Sequence, residues 1–180
     1  MIKSFVERRL RSRLVHDGRA VAFRVDTVRL PDGRSATREY LDHYGAVAVV
    51  PFLDPKTVVL VRQYRYPVGK TTWELPAGKL GRGERVLSCL KRELREETGY
   101  TAGRIRPLIR YWPTPAFSNE LIHIFTADRL VPGRMQPDDD EFIEAKKVPF
   151  DKALRWALDG TIKDSKTVIA LLACAVRRSH

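Results

Sequence analysis

The chain has 180 residues, enough for one domain with a sizeable core and too few for two full ones. Apolar residues make up 43% of it, which excludes a disordered chain, and no run reaches the ~20 apolar residues of a membrane span. With 33 basic and 22 acidic residues the net charge is +11, which suits anionic partners: nucleic acid, a membrane surface or phosphorylated small molecules.

The start, "MIKSFVERRLRSRLVHDG", has no continuous apolar core for a secretory signal. Its arginines would suit an organellar leader, but Glu7 and Asp17 count against one. Residues 21–30 alternate apolar and polar, as a half-buried strand should. Asp32-Gly33 is a hairpin signal, and "REYLDHY" follows as the return strand. Residues 45–53, nearly all apolar, read as a central buried strand. Asp54-Pro55 turns the chain, and residues 57–66 pair back. "WELPAGKLGRGE" reads as a loop punctuated by Pro76, Gly78, Gly81 and Gly83. A helix is predicted over 84–98, with Gly99 as its left-handed cap. Strands follow near 105–112 and 121–127, then a polar loop, "VPGRMQPDDDEF". Two helices close the chain, over 151–159 and 164–178, the second with Asp164 or Ser165 as N-cap. Strands and helices mix without strict βαβ alternation, so the expected class is α+β. Cys89 and Cys174 lie in apolar helical patterns with no metal-type spacing, so they read as buried free thiols in a reducing cytoplasm. No RNA-binding aromatic motif or zinc finger is present, so neither nucleic acid nor membrane is expected as a partner.

The helix over 84–98 carries the chemistry. At about 100° per residue, Val86, Leu87, Leu90 and Leu94 form one apolar stripe. Glu93 and Glu97 fall at the edge of that stripe, with Glu96 beside Glu93 and with Lys91 and Arg95 on the solvated side. An ordinary charged helix end would place its glutamates opposite the apolar face. Carboxylates gathered beside a core raise one another's pKa unless a cation is present. Hard divalent ions with oxygen ligands, Mg²⁺ or Mn²⁺, satisfy such a set.

The preceding loop adds fixed spacing. Gly78, five residues, Glu84, seven residues, then Arg92-Glu93-Leu94-x-Glu96-Glu97-x-Gly99-Tyr100 resembles the complete Nudix box, with Tyr100 in its last apolar position. "WELPAGK", "VRQYR", "FSNE" and "SKTVIALL" are similar to the ADP-ribose and nucleoside-diphosphate-sugar pyrophosphatase branch of that family. The likeness covers about three-quarters of the chain, from roughly Arg38 onward.

The resemblance implies a Nudix α/β/α sandwich with a mixed sheet over 45–180, and a small antiparallel sheet over 1–44 that serves in a homodimer. It implies metal ligands at Glu93 and Glu97, with Glu96 assisting and the Ala77 carbonyl as a further ligand. Glu84 and Arg92 would brace loop against helix. The base that deprotonates water would come from the acidic loop 138–144, where Glu141 is preferred and Glu144 and Asp140 stand behind it. Arg65 could contact the diphosphate, while Arg38 and Glu39 sit where relatives bind adenosine. Pro115, sixteen residues beyond Gly99, marks ADP-ribose specificity within the branch, although Ala116 replaces the usual following glycine. The implied reaction is Mg²⁺- (or Mn²⁺-) dependent hydrolysis of ADP-ribose to AMP and ribose 5-phosphate in the cytoplasm. Another nucleoside diphosphate sugar such as GDP-mannose is the nearest alternative substrate. A non-catalytic ligand sensor is the alternative of a different class, and the intact glutamates argue against it.

Overall fold

The structure is a computed structural model that describes residues 4–18, 21–137 and 140–179. It divides into two units. One holds the chain up to Tyr44 together with Trp112–Glu120; the other holds Gly45–Tyr111 and the chain from Leu121 onward.

In the first unit, β1 (Arg8–Asp17), β2 (Ala22–Arg29) and β3 (Ser35–Asp42) form an antiparallel sheet in that order. The Asp32-Gly33 turn joins β2 to β3 as expected. Gly33 has φ +91, and the Asp32 carboxylate accepts the Arg34 N–H at 3.0 Å. The segment 112–120 joins this unit at β3, where Leu41 donates its N–H to the Phe117 carbonyl at 2.9 Å. Asn119 donates to Asp42 at 2.8 Å and accepts the His43 N–H at 2.7 Å. Strand β1 is absent from the sequence reading. All ten of its residues are exposed, so no buried face imposes an alternating pattern on it.

The second unit contains β4 (Ala46–Asp54), β5 (Thr57–Arg65), β6 (Lys70–Glu74), β7 (Ala77–Lys79), β8 (Tyr100–Tyr111), β9 (Ile122–Pro132) and β10 (Ile143–Pro149). Its helices are α1 (Val86–Thr98), α2 (Phe150–Leu158) and α3 (Ser165–Ser179). The sheet runs β10-β5-β4-β9-β8, with β6 added to β5 and β7 to β4. The β4–β9 pairing is parallel and the others are antiparallel, so the sheet is mixed. Strand β4 explains the layering. Val47 and Val49 pack with Cys89, Leu90 and Leu94 of α1. Ala46, Ala48 and Val50 pack in a second core with Ala153 of α2 and Ala170 and Leu171 of α3. Helices cover both faces, giving the expected α/β/α sandwich, which is why β4 is apolar without alternation.

Several local expectations need correction. The stretch read as a loop from Trp73 carries the end of β6 and the short strand β7, because Ala77–Lys79 pairs with Ala46–Ala48. Helix α1 begins at Val86, two residues later than predicted, and Leu87 is 51% exposed rather than part of the buried stripe. The buried face instead includes Cys89, Leu90, Leu94 and Glu97, so Glu97 lies within it and not at its edge. Strand β10 (Ile143–Pro149) takes in the last two residues of the acidic stretch 138–144 and continues through residues to which the sequence reading assigns no element. Among the described residues no helix is long and apolar enough to cross a membrane.

Candidate active site

The site is built where β7 meets α1. Gly78 lies under the Glu93 side chain, and a Cβ at position 78 would overlap the Glu93 carboxylate. A glycine here leaves room for the Glu93 carboxylate to lie against the strand. Next to it, the Ala77 N–H donates to Glu97 Oε2 at 2.9 Å. The two carboxylates thus stand one helical turn apart against the same short strand.

Arg92 organises the outer side. Its Nη1 donates to Glu93 at 2.7 Å and to Glu96 at 3.0 Å, and its Nε and Nη2 reach Glu84 at 3.3 Å each. Glu84 also accepts the Gly81 N–H at 2.9 Å, which ties the loop to the helix. Gly99 ends α1 with φ +74 and donates its N–H to the Arg95 carbonyl at 2.8 Å. The Gln136 N–H satisfies the Glu96 carbonyl at 3.0 Å, so the loop after β9 covers the helix end.

Electrostatics mark Glu97 most strongly. It is 3% exposed, and burial drives its carboxyl up to about 8, with Glu93 and Glu141 adding to the rise against the Ala77 hydrogen bond. Burial also raises Glu93; Arg92 opposes this, and Glu96 and Glu141 reinforce it. The charge of Glu141 therefore reaches the buried Glu97 and the partly buried Glu93 from the chain just before β10. Glu144, the second residue of β10, pairs instead with Lys146 at 2.6 Å. Asp138 and Asp139 of the acidic loop lie outside the described residues.

Among the described residues no three Asp, Glu, His or Cys side chains stand together as a metal-holding group, and Arg92 bonds both Glu93 and Glu96. Carboxylates held next to one another in partial burial need a positive charge, and oxygen-rich sites select hard ions. Arg92 supplies one such charge on the Glu93 and Glu96 side, and Glu97 forms its hydrogen bond to Ala77 instead.

A second polar cluster joins Arg65 and Asp164, both singled out in the sequence, to Glu74 and Lys166, which were not. Glu74 is 2% exposed, and Arg65 donates to it through Nε and Nη2 at 2.8 Å each. Lys166 of α3 adds contacts of 2.5 Å to Glu74 and 2.8 Å to Asp164. Asp164 caps α3 by accepting the Thr167 N–H at 3.0 Å. Burial raises the Glu74 carboxyl, but Arg65, Lys166 and Thr72 outweigh it and hold it at about 2. The available signal was a lone glutamate between Trp73 and Leu75, with Lys166 two residues after a capping aspartate.

The remaining predicted residues fall elsewhere. Arg38 forms an ion pair with Glu7, and Glu39 is exposed opposite Val25 on β3. Pro115 is exposed in a turn in which the Thr114 carbonyl accepts the N–H groups of Phe117 and Ser118 at 3.1 and 3.0 Å. These three belong to the first unit; the carboxylates, Ala77, Glu141 and Arg65 belong to the second.

The NUDIX domain family matches residues 42–172, which include most of the carboxylate-bearing unit. The chain belongs to the Nudix family. It is 39% identical over 173 residues to the methanol dehydrogenase activator of Bacillus methanolicus, covering 95% of this chain and 94% of that one. It is 35% identical over 172 residues to the ADP-ribose pyrophosphatase of Bacillus subtilis (strain 168), covering 94% and 93%. Among solved structures, an ADP compounds hydrolase shares the fold with a TM-score of 0.82 at 22% identity, over 96% of this chain and 95% of that one. The protein is thus a Nudix hydrolase, of a family that generally uses divalent metals.

Proposed function

We propose that this Nudix hydrolase cleaves the pyrophosphate bond of ADP-ribose, releasing AMP and ribose 5-phosphate. The observation that carries the reading is the pair Glu93 and Glu97, held beside Ala77 and Gly78 by backbone contact. The likeness to an ADP-ribose pyrophosphatase over nearly the whole chain supports the choice of substrate. Glu93 and Glu97, with Glu96 and the Ala77 carbonyl, would hold Mg²⁺ or Mn²⁺. Such an ion supplies neutralisation of the diphosphate charge and a more acidic water.

The chain's own residues do the rest. Glu141 is the proposed base that accepts the proton of the attacking water, because its charge is felt at both Glu93 and Glu97. Arg65 would meet the diphosphate, and its fork is oriented by the buried Glu74. Arg38, Glu39 and Pro115 remain proposed contacts to the adenosine side, and residues 1–44 a proposed dimerisation element. Two buried free thiols, Cys89 and Cys174, support a cytoplasmic location.

Steady-state rates with ADP-ribose, GDP-mannose and NADH test the substrate. ADP-ribose is expected to have the highest kcat/KM, and a preference for GDP-mannose above about tenfold would overturn that choice. E97Q is expected to lower kcat by at least about a hundredfold with its circular dichroism unchanged. Full activity in E97Q would refute the metal-site assignment.

A further inference from the structure

A cavity of about 600 Å³ opens in the second unit at the opposite end of β4 from the carboxylates. Strand β7 pairs with Ala46–Ala48, whereas the cavity is bordered by Phe52 to Pro55, roughly 20 Å further along the strand. None of the proposed active-site residues lines it. Its floor is apolar, with Phe52, Pro55, Pro107 and Leu108, and its walls carry five arginines against two aspartates.

Three of these arginines are held in place. Arg104 is gripped by both oxygens of Asp128, at 2.8 and 3.0 Å. Arg177 donates to the carbonyls of Pro107 and Leu108 at 3.2 and 2.6 Å. Arg178 donates to the Pro55 carbonyl and lies 4.7 Å from the ring centres of both Phe52 and Phe150. Arg106 is 57% exposed and reaches Asp128 only at 3.8 Å. The fifth, Arg129, has φ +55, the one positive φ outside glycine among the described residues. Left-handed backbone is strained for arginine, and such strain gathers at functional positions.

This is a preorganised set of guanidinium forks around an apolar floor. Arginine forks match phosphate oxygens, and their planes stack on aromatic bases. The volume falls in the range of small-molecule sites. We propose that the cleft is a second ligand site, for a phosphorylated small molecule with a planar body, of the nucleoside monophosphate class.

The test uses the full chain and trinitrophenyl-AMP, read by fluorescence, with unlabelled AMP as competitor. Two variants separate this cleft from the active site. R106Q/R129G removes two cleft charges and gives position 129 the residue its backbone favours; E93Q/E97Q alters only the carboxylate site. The cleft is expected to bind the probe in E93Q/E97Q. In R106Q/R129G that affinity should fall at least about tenfold, with ADP-ribose turnover unchanged. R106E, at an exposed side chain, checks the same loss without changing residue 129. Equal probe affinity in E93Q/E97Q with and without R106Q/R129G or R106E would overturn the proposal, whatever the outcome for the carboxylate site.

Discussion

Two glycines of the box do different physical work. At position 78 the obstacle to a side chain is the Glu93 carboxylate, the far end of a flexible side chain that can swing away. G78A should therefore displace a proposed ligand and leave the fold alone. Its kcat/KM is expected to fall by about a hundredfold, with little change in the urea midpoint. At position 99 the obstacles are backbone: a Cβ would stand 2.9 Å from the Gly133 oxygen and the Met135 nitrogen, at φ +74. G99A should therefore destabilise the protein by more than ~1 kcal/mol in urea unfolding. The box spacing was legible because each of its positions answers a local constraint: close approach, brace or cap. Glu74 and Lys166 were not legible, because their pairing joins residues 92 positions apart and neither has a local pattern.

Among the elements, β4 could be read as buried because helices cover both its faces. Strands β1 and β10 could not: the first has no buried residue, and the second has one, Val148. The polar link from β6 to α3 has a consequence for stability. Glu74 has its folded pKa depressed, from an ordinary 4.5 to about 2. Its contribution is therefore present above about pH 4.5 and is lost as pH falls towards 2, because the unfolded chain then binds the proton first. The size is on the order of a few kcal/mol for so buried a carboxylate. In urea unfolding the wild type should lose stability between pH 5 and pH 2.5 faster than E74Q, which cannot titrate there. Parallel slopes for the two proteins would show that Glu74 carries no such linkage.

At the scale of the whole molecule, the first unit presents an unusual surface. Strand β1 is an edge strand, and it exposes Leu10 at 51%, Leu14 at 42% and Val15 at 47%. An exposed edge with apolar residues invites pairing with another chain, and the interleaved Arg9, Arg11 and Arg13 discourage unlimited stacking by charge repulsion. A closed homodimer satisfies both features, and such an interface needs to bury at least about 1,000 Å². Sedimentation equilibrium should therefore give the wild type twice the 20.6 kDa mass of the chain. L10D/L14D places charge on the strand, leaves the residues of the second unit unchanged, and should sediment as a monomer. A wild type that sediments at 20.6 kDa would remove the dimer, and with it the proposed role of residues 1–44. If the dimer forms and the variant is a monomer that still turns over ADP-ribose at the wild-type rate, the carboxylate site is complete within one chain. If the monomer instead shows a raised KM with unchanged kcat, the partner contributes to substrate binding and not to the chemical step.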